Sequence, residues 1–255
     1  MNGPSLTIVY RGQWQTIMRV EAAALTDVGR LRSANEDAYG LVREANFFLV
    51  CDGMGGAAAG EVASQMAVAT ALEFVEKQAG KAPNTLLEKL IAMANQRVFA
   101  RSEREPSLSG MGTTLVSLLL HDGVAWIAHV GDSRCYRFRD GHLERKTHDH
   151  SLVDEQVRLG QMTPTEAERS PLRNVITRAV GTRATVTPEI QGLPVQKGDV
   201  FLLCSDGLTK EVAEARVEEV LLKGANPHAI CQQLIDEANA AGGTDNITVV
   251  VVRVE

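Results

Sequence analysis

The chain reads as α+β with antiparallel sheets, because groups of strands alternate with pairs of helices rather than with single helices. Strand patterns at 112–120, 124–130, 134–139 and 142–147 are joined by Asp122-Gly123, Gly131-Asp132 and Asp140-Gly141, the turn chemistry of a meander. The run Phe47-Phe48-Leu49-Val50-Cys51 is apolar without a break, as in a strand covered on both faces.

Taken in order, 20–26, 38–43 and 47–51 are strand patterns, and the polar, turn-rich stretch 27–37 between the first two holds Arg30, Arg32, Glu36 and Asp37. Asp52 is the first polar group after the third run. Gly53, Gly55 and Gly56 then open the backbone to close approach, and 57–75 repeats Val62, Met66, Ala69 and Leu72 at helical spacing. Pro83-Asn84 starts a second helix with Leu87, Ile91, Ala94 and Val98 on one face. After the meander, residues 150–183 are polar and short of strands, and are expected to form an inserted flap. Within it Thr163-Pro164-Thr165-Glu166 combines a cap, a proline at the first helical position and an acid at the third. Strands resume at 185–191 and 200–204, helices are expected at 214–223 and 226–241 with Gly242-Gly243 as a stop, and 247–254 is the final strand.

A length of 255 residues with 44% hydrophobic and 23% charged residues fits one soluble globular domain. The orderly pattern begins just after Met18, so 1–17 is read as an N-terminal extension and 18–255 as a single domain. The net charge of -6 argues against nucleic acid as the main partner. No apolar run approaches the roughly 18 residues of a membrane span, so no membrane partner is expected and a cytoplasmic location is the default. Cys51, Cys135, Cys204 and Cys231 form no C-x-x-C pair and read as small buried hydrophobes in a reducing compartment. A monomer is expected.

Four acids share one context. Asp52 and Asp206 each end an apolar run, Asp132 sits in a turn between strands, and Asp245 precedes a strand. One end of a sandwich would bring them together. Gathered carboxylates repel unless protonated or paired with cations, and hard oxygen ligands select Mg²⁺ or Mn²⁺ where no Cys/His set with zinc spacing exists. A two-metal centre suited to phosphoryl chemistry follows. Asp-Gly is also the commonest hairpin turn, which accounts for Asp122-Gly123 and Asp140-Gly141. For Asp52, patterning alone leaves the two readings evenly matched.

The ordered series Asp27-x-Gly29-x-x-Arg32-x-x-Asn35-Glu36-Asp37, Val50-Cys51-Asp52-Gly53-Met54-Gly55-Gly56, Gly112-Thr113-Thr114, Val130-Gly131-Asp132-Ser133-Arg134, Asp149-His150-Ser151, Ser205-Asp206-Gly207-Leu208 and Gly243-Thr244-Asp245-Asn246-Ile247-Thr248 closely resembles the metal-dependent type 2C protein phosphatases in their compact bacterial form. The resemblance implies a sandwich of two antiparallel β-sheets flanked by helix pairs, and Mg²⁺- or Mn²⁺-dependent hydrolysis of phosphoserine and phosphothreonine in proteins. By position, Asp52 would bridge two metals, the Gly53 carbonyl would bind one, and Asp206 and Asp245 would complete the other. Glu36 and Asp37 would act through water, and Asp132 with Asp206 would match a weaker third site. Arg32 would grip the substrate phosphate through its fork of donors. The implied mechanism is direct attack on phosphorus by a bridging hydroxide, without a phosphoenzyme. The implied partners are phosphorylated proteins, a cognate Ser/Thr kinase and its signalling targets among them. Animal members carry His where this chain has Met54, which cannot donate a proton, so a metal-bound water is the implied acid.

Other chemistries fit less well. Gly53-x-Gly55-x-x-Ala58 satisfies a loose dinucleotide-binding fingerprint, but Asp52 would face the pyrophosphate, and the acid expected about 20 residues on falls inside a helix, at Glu73 or Glu76. No cysteine has an arginine six residues on, which disfavours a cysteine phosphatase loop. A non-catalytic phosphoprotein-binding domain has no need of like-charged neighbours that cost stability. His148 and His150 flank Asp149 and read more readily as structural residues than as a metal pair. Arg158, Arg169, Arg173, Arg178 and Arg183 make the flap locally basic, as a phosphopeptide guide or a solvated face.

Overall fold

In the computed structural model, residues 7–10, 13–16, 18–77 and 82–255 are described. Within the expected extension, β1 (Thr7–Tyr10) and β2 (Gln13–Thr16) pair as a two-stranded sheet of their own, and the rest of 1–17 up to Met18 lies outside the described residues. The main body starts with β3 (Val20–Asp27), β4 (Asp37–Val42) and β5 (Phe47–Met54), followed by the helix pair α1 (Ala57–Lys77) and α2 (Pro83–Arg104). Then come β6 (Gly112–Thr113), β7 (Leu115–His121), β8 (Val124–Val130), β9 (Arg134–Arg139) and β10 (His142–Arg145). The flap carries α3 (Leu152–Arg158) and α4 (Pro164–Arg169). The chain closes with β11 (Glu189–Pro194), β12 (Val200–Cys204), the short α5 (Asp206–Thr209), α6 (Glu214–Leu222), α7 (Pro227–Ala241) and β13 (Ile247–Val254).

Two sheets result, in the orders β10-β9-β12-β13-β3 and β11-β8-β7-β5-β4, with β6 paired to β5. Every pairing of named strands is antiparallel. That removes the parallel βαβ unit a dinucleotide fingerprint requires. Side-chain alternation explains the unbroken apolar runs. Phe48 and Val50 of β5 meet Phe201 and Leu203 of β12 and Val250 and Val252 of β13 between the sheets. Phe47, Leu49 and Cys51 point the other way, onto Ala63 and Ala67 of α1 and Leu87 and Ile91 of α2. On the far side Leu202, Cys204, Val249 and Val251 pack against Val217 of α6 and Ile230 and Leu234 of α7. Three apolar layers between four structural layers make the α-β-β-α sandwich.

Local signals hold where they are strongest. Asp122 and Gly123, and Asp140 and Gly141, all have positive φ, the conformation of a tight two-residue hairpin loop. At α4, Thr163 Oγ1 accepts the Glu166 N–H while Glu166 Oε2 accepts the Thr163 N–H, closing the expected capping box. Asn226 caps α7 by accepting the Ala229 N–H. The flap is tied down at its stems, Ser151 bridging to Ile176 and Val180 to Thr113. Boundaries move: the expected 112–120 strand is divided at Thr114 into β6 and β7, and the 142–147 strand stops at Arg145. The 185–191 strand is instead β11, starting after Pro188, on a sheet edge where prolines at the ends cost no ladder bond. The strand carrying Asp52 runs on to Met54, because Gly53 and Met54 pair with β6. All four cysteines are free and buried.

Candidate metal centre

Asp52 and Asp37 sit directly opposite each other on β5 and β4. Asp206 opens α5 straight after β12, Asp245 lies two residues ahead of β13, and Asp132 occupies the turn between β8 and β9. These strand ends share one edge of the sandwich. A cavity of about 310 Å³ there is lined by Arg32, Glu36, Asp52, Gly53, Met54 and Asp132, and by Asp206, Lys210, Asp245, Asn174, Ile176 and Asn246. Asp37 stands behind it. A second hollow of about 370 Å³ beside the flap exit includes Arg178 and Arg183 but no carboxylate in its lining.

The supports are mostly backbone and small polar groups. Asn246 Nδ2 donates to the carbonyls of Val28 and Ala34, while its Oδ1 accepts the Glu36 N–H, so one side chain fixes the loop carrying Arg32 and Glu36. The Asp52 N–H reaches Thr114 Oγ1 at 2.9 Å, and the Asp52 carbonyl accepts from the Thr113 hydroxyl and the Thr114 N–H. Gly53 lies where a Cβ would overlap the Gly60 carbonyl in the first turn of α1 and come within 2.6 Å of the Glu36 carbonyl. Asp37 Oδ2 accepts from Ser205 Oγ and Thr248 Oγ1, both at 2.7 Å.

The electrostatics are those of too many acids in too little water. Burial, reinforced by Asp37, Asp206 and Asp132, pushes the Asp52 carboxyl well up. Burial raises Asp37 to about 7 despite its two hydroxyl donors, and raises Asp132 to about 7 with Asp206 and Asp149 adding repulsion. Asp206 is raised by burial even though Lys210 pulls the other way, and Glu36 is raised by burial against the pull of Arg32. Asp245 alone goes down: burial opposes it, but Lys210, the Asn246 N–H and Arg32 outweigh that. Arg32 Nη2 lies 2.9 Å from Asp245 Oδ1, and Lys210 Nζ lies 2.6 Å from Asp206 Oδ2 and 2.9 Å from Asp245 Oδ2. Asp37 Oδ1, Asp132 Oδ1 and Asp206 Oδ1 are buried with no hydrogen-bond partner. Buried carboxylate oxygens with nothing to accept from are what a hard divalent cation would satisfy, so the donor set fits Mg²⁺ or Mn²⁺.

His148 and His150 do not form a pair. Instead His129, a residue with no sequence signal inside the apolar run of β8, stacks on His150 with ring centroids 4.7 Å apart. His129 Nε2 meets the His148 carbonyl at 2.7 Å, and His150 Nδ1 accepts the Gly131 N–H. With Nδ1 accepting, His150 Nε2 carries the proton and faces Glu189 Oε1 at 3.2 Å. His129, His150 and Glu189 are close enough to suggest a metal site. The hydrogen bonds, however, leave His150 no lone pair for a metal, and the stacked imidazoles act as a strut under the flap. Arg178 and Arg158 turn onto the same Glu189, at 3.6 and 4.0 Å.

Burial pushes His150 down to about 4 from 6.5, with His129 and Arg178 adding to it. A depressed histidine contributes stability that is full above the unfolded value and is lost as pH falls towards the folded one. Between pH 7 and 5 the wild-type chain should therefore lose about 1–2 kcal/mol more than His150→Gln. Urea unfolding at both pH values checks this, and parallel losses would exclude it.

A sandwich of two antiparallel sheets whose acids gather at one edge is an arrangement suited to metal-dependent chemistry on phosphoesters. A family profile described as "Protein phosphatase 2C" matches residues 30–234. The chain is 40% identical over 240 residues to the serine/threonine phosphatase stp of Listeria monocytogenes, covering 89% of this chain and 93% of that protein. Its fold is similar to that of the Mycobacterium tuberculosis serine/threonine phosphatase PstP/Ppp, with a TM-score of 0.87 and 37% identity over 92% of this chain and 99% of that one. A structure of the PstP catalytic domain in complex with two manganese ions is similar at a TM-score of 0.84 and 36% identity, covering 92% of this chain and 98% of that one. The chain belongs to the protein phosphatase 2C family, in its bacterial form, and is a phosphoprotein phosphatase. Among the described residues, no helix is long and apolar enough to cross a membrane.

Proposed function

We propose that this chain hydrolyses phosphoserine and phosphothreonine in proteins by direct attack of a water-derived hydroxide on phosphorus, without a phosphoenzyme. One bond forms from the attacking oxygen to phosphorus, the bond to the serine or threonine oxygen breaks, and that oxygen takes a proton. The observation that carries the reading is the set of orphaned buried oxygens on Asp37, Asp132 and Asp206. Asp52, the Gly53 carbonyl, Asp206 and Asp245 would hold two Mg²⁺ or Mn²⁺ ions, with Glu36 and Asp37 acting through water and Asp132 with Asp206 offering a third, weaker place. When bound, such ions lower the pKa of water and clamp the attacking and leaving oxygens.

The chain's own residues do the rest. Among the described residues no serine, threonine, cysteine or histidine lines the cavity, which supports attack by water rather than by such a side chain. Met54 lines it too and has no proton to give, and a water is the donor we assign to the leaving alkoxide. Arg32, with 49% of its side chain exposed, sits at the rim and can turn its fork from Asp245 to a phosphate. The catalytic domain is taken as 18–255 with its flap at 150–183. A cytoplasmic monomer acting on a cognate Ser/Thr kinase and that kinase's targets is the cellular setting proposed.

Phosphate release from a phosphothreonine peptide, with Mn²⁺ and with EDTA, tests the function. Turnover in Mn²⁺ that EDTA abolishes is expected; none in either sinks it. In the same assay Arg32→Ala should raise KM by about tenfold or more while Mn²⁺ still binds, and an unchanged KM would remove Arg32 from the phosphate site.

A further inference from the structure

Lys210 carried no signal in the sequence, yet its ammonium spans two carboxylates from separate elements, Asp206 at the head of α5 and Asp245 ahead of β13. Local geometry places it there. The Lys210 N–H closes α5 on the Asp206 carbonyl at 2.8 Å, and a side chain four residues on leans back over the preceding turn onto Asp206 itself. The lysine lines the same 310 Å³ cavity, and with 29% of its side chain exposed it is partly withdrawn from screening solvent. The other cation on Asp245, Arg32, stands further out, and among the described residues its ion pair is with that acid alone.

We propose that Lys210 is an internal rival of the divalent cation at the Asp206–Asp245 pair and sets how tightly this chain holds metal. This rests on the metal-centre reading given above. A cation entering the pair meets Oδ2 of both acids already used by one ammonium. Either the ammonium leaves and gives up two charge-assisted hydrogen bonds, or it stays and repels a doubly charged neighbour. Both routes weaken metal binding. The lysine thereby keeps the acids compensated at low metal concentration and gates the centre by the supply of cation.

The test is calorimetric titration of Mn²⁺ alone into the full chain and into Lys210→Met and Lys210→Gln, with thermal unfolding alongside. Both variants should bind Mn²⁺ about tenfold more tightly or better. Without divalent cation they should melt below the wild type, and saturating Mn²⁺ should close that gap. A lysine serving only as a packing strut would lower melting in both conditions and would not tighten binding. Unchanged or weakened Mn²⁺ affinity in the variants overturns the inference while leaving the metal centre in place. A raised KM for phosphopeptide at unchanged Mn²⁺ affinity does the same, assigning the lysine to the phosphate instead. Binding that appears only in the variants supports it. No Mn²⁺ binding in any of the three chains overturns both the inference and the metal-centre reading.

Discussion

Asp206→Asn is expected to lower turnover by about a thousandfold at fixed Mn²⁺, a loss of about 4 kcal/mol in transition-state stabilisation. The substitution keeps the shape of the side chain and removes one negative charge from a group whose Oδ1 is buried and unpartnered. Because metals would be held by charge and hard oxygens, the amide should act mainly on metal affinity, and part of the activity should return as Mn²⁺ is raised. Stability should move the other way. Burial raises the Asp206 pKa in spite of Lys210, so carrying the charge costs the folded chain some stability relative to the unfolded one. A neutral asparagine removes that cost, and the variant should melt above the wild type when no divalent cation is added. Turnover across a Mn²⁺ titration, with melting curves in EDTA, checks both signs. Wild-type turnover at matched Mn²⁺ would remove Asp206 from the metal ligands.

The parts of this centre that the sequence exposes are those at the ends of apolar runs. Asp52 and Asp206 stand out because buried strands tolerate no charge until they stop, and the glycines after Asp52 mark close backbone approach. The sandwich was legible for the same reason, since β5, β12 and β13 feed a core on each face. What stayed hidden depends on contacts far apart in the chain. Lys210 looks like a surface lysine until α5 is known to place it one turn after Asp206. Ser205 and Thr248 are ordinary strand-end hydroxyls until the register of β12 against β13 sets both on Asp37. His129 sits in an apolar strand with no partner in its own neighbourhood, and the histidines nearest each other in sequence, His148 and His150, meet it separately.

Gly53→Ala should be among the most damaging single methyl additions to this centre, for steric reasons alone. Gly53 does not have positive φ, so the backbone torsion is open to alanine. The obstruction is close approach: the new Cβ would overlap the Gly60 carbonyl and lie 2.6 Å from the Glu36 carbonyl. Neither is a side-chain end that can swing away. Relief requires the end of β5 to part from the first turn of α1 and from the loop bearing Glu36, at a cost of about 3 kcal/mol or more. It also breaks the Gly53 N–H bond to Glu36 O at 3.1 Å and shifts the neighbouring Asp52. A displacement of about 1 Å at a reacting centre is enough to cost about a hundredfold in rate, so turnover should fall even at saturating Mn²⁺. Gly60→Ala provides the comparison, because its Cβ overlaps chiefly the flexible carboxylate end of Glu36 and meets backbone only at the Gly53 carbonyl carbon, 2.9 Å away. That variant should lose less stability while still disturbing Glu36. Urea unfolding of the two variants side by side decides the matter, and a larger loss in Gly60→Ala would refute the backbone-contact argument.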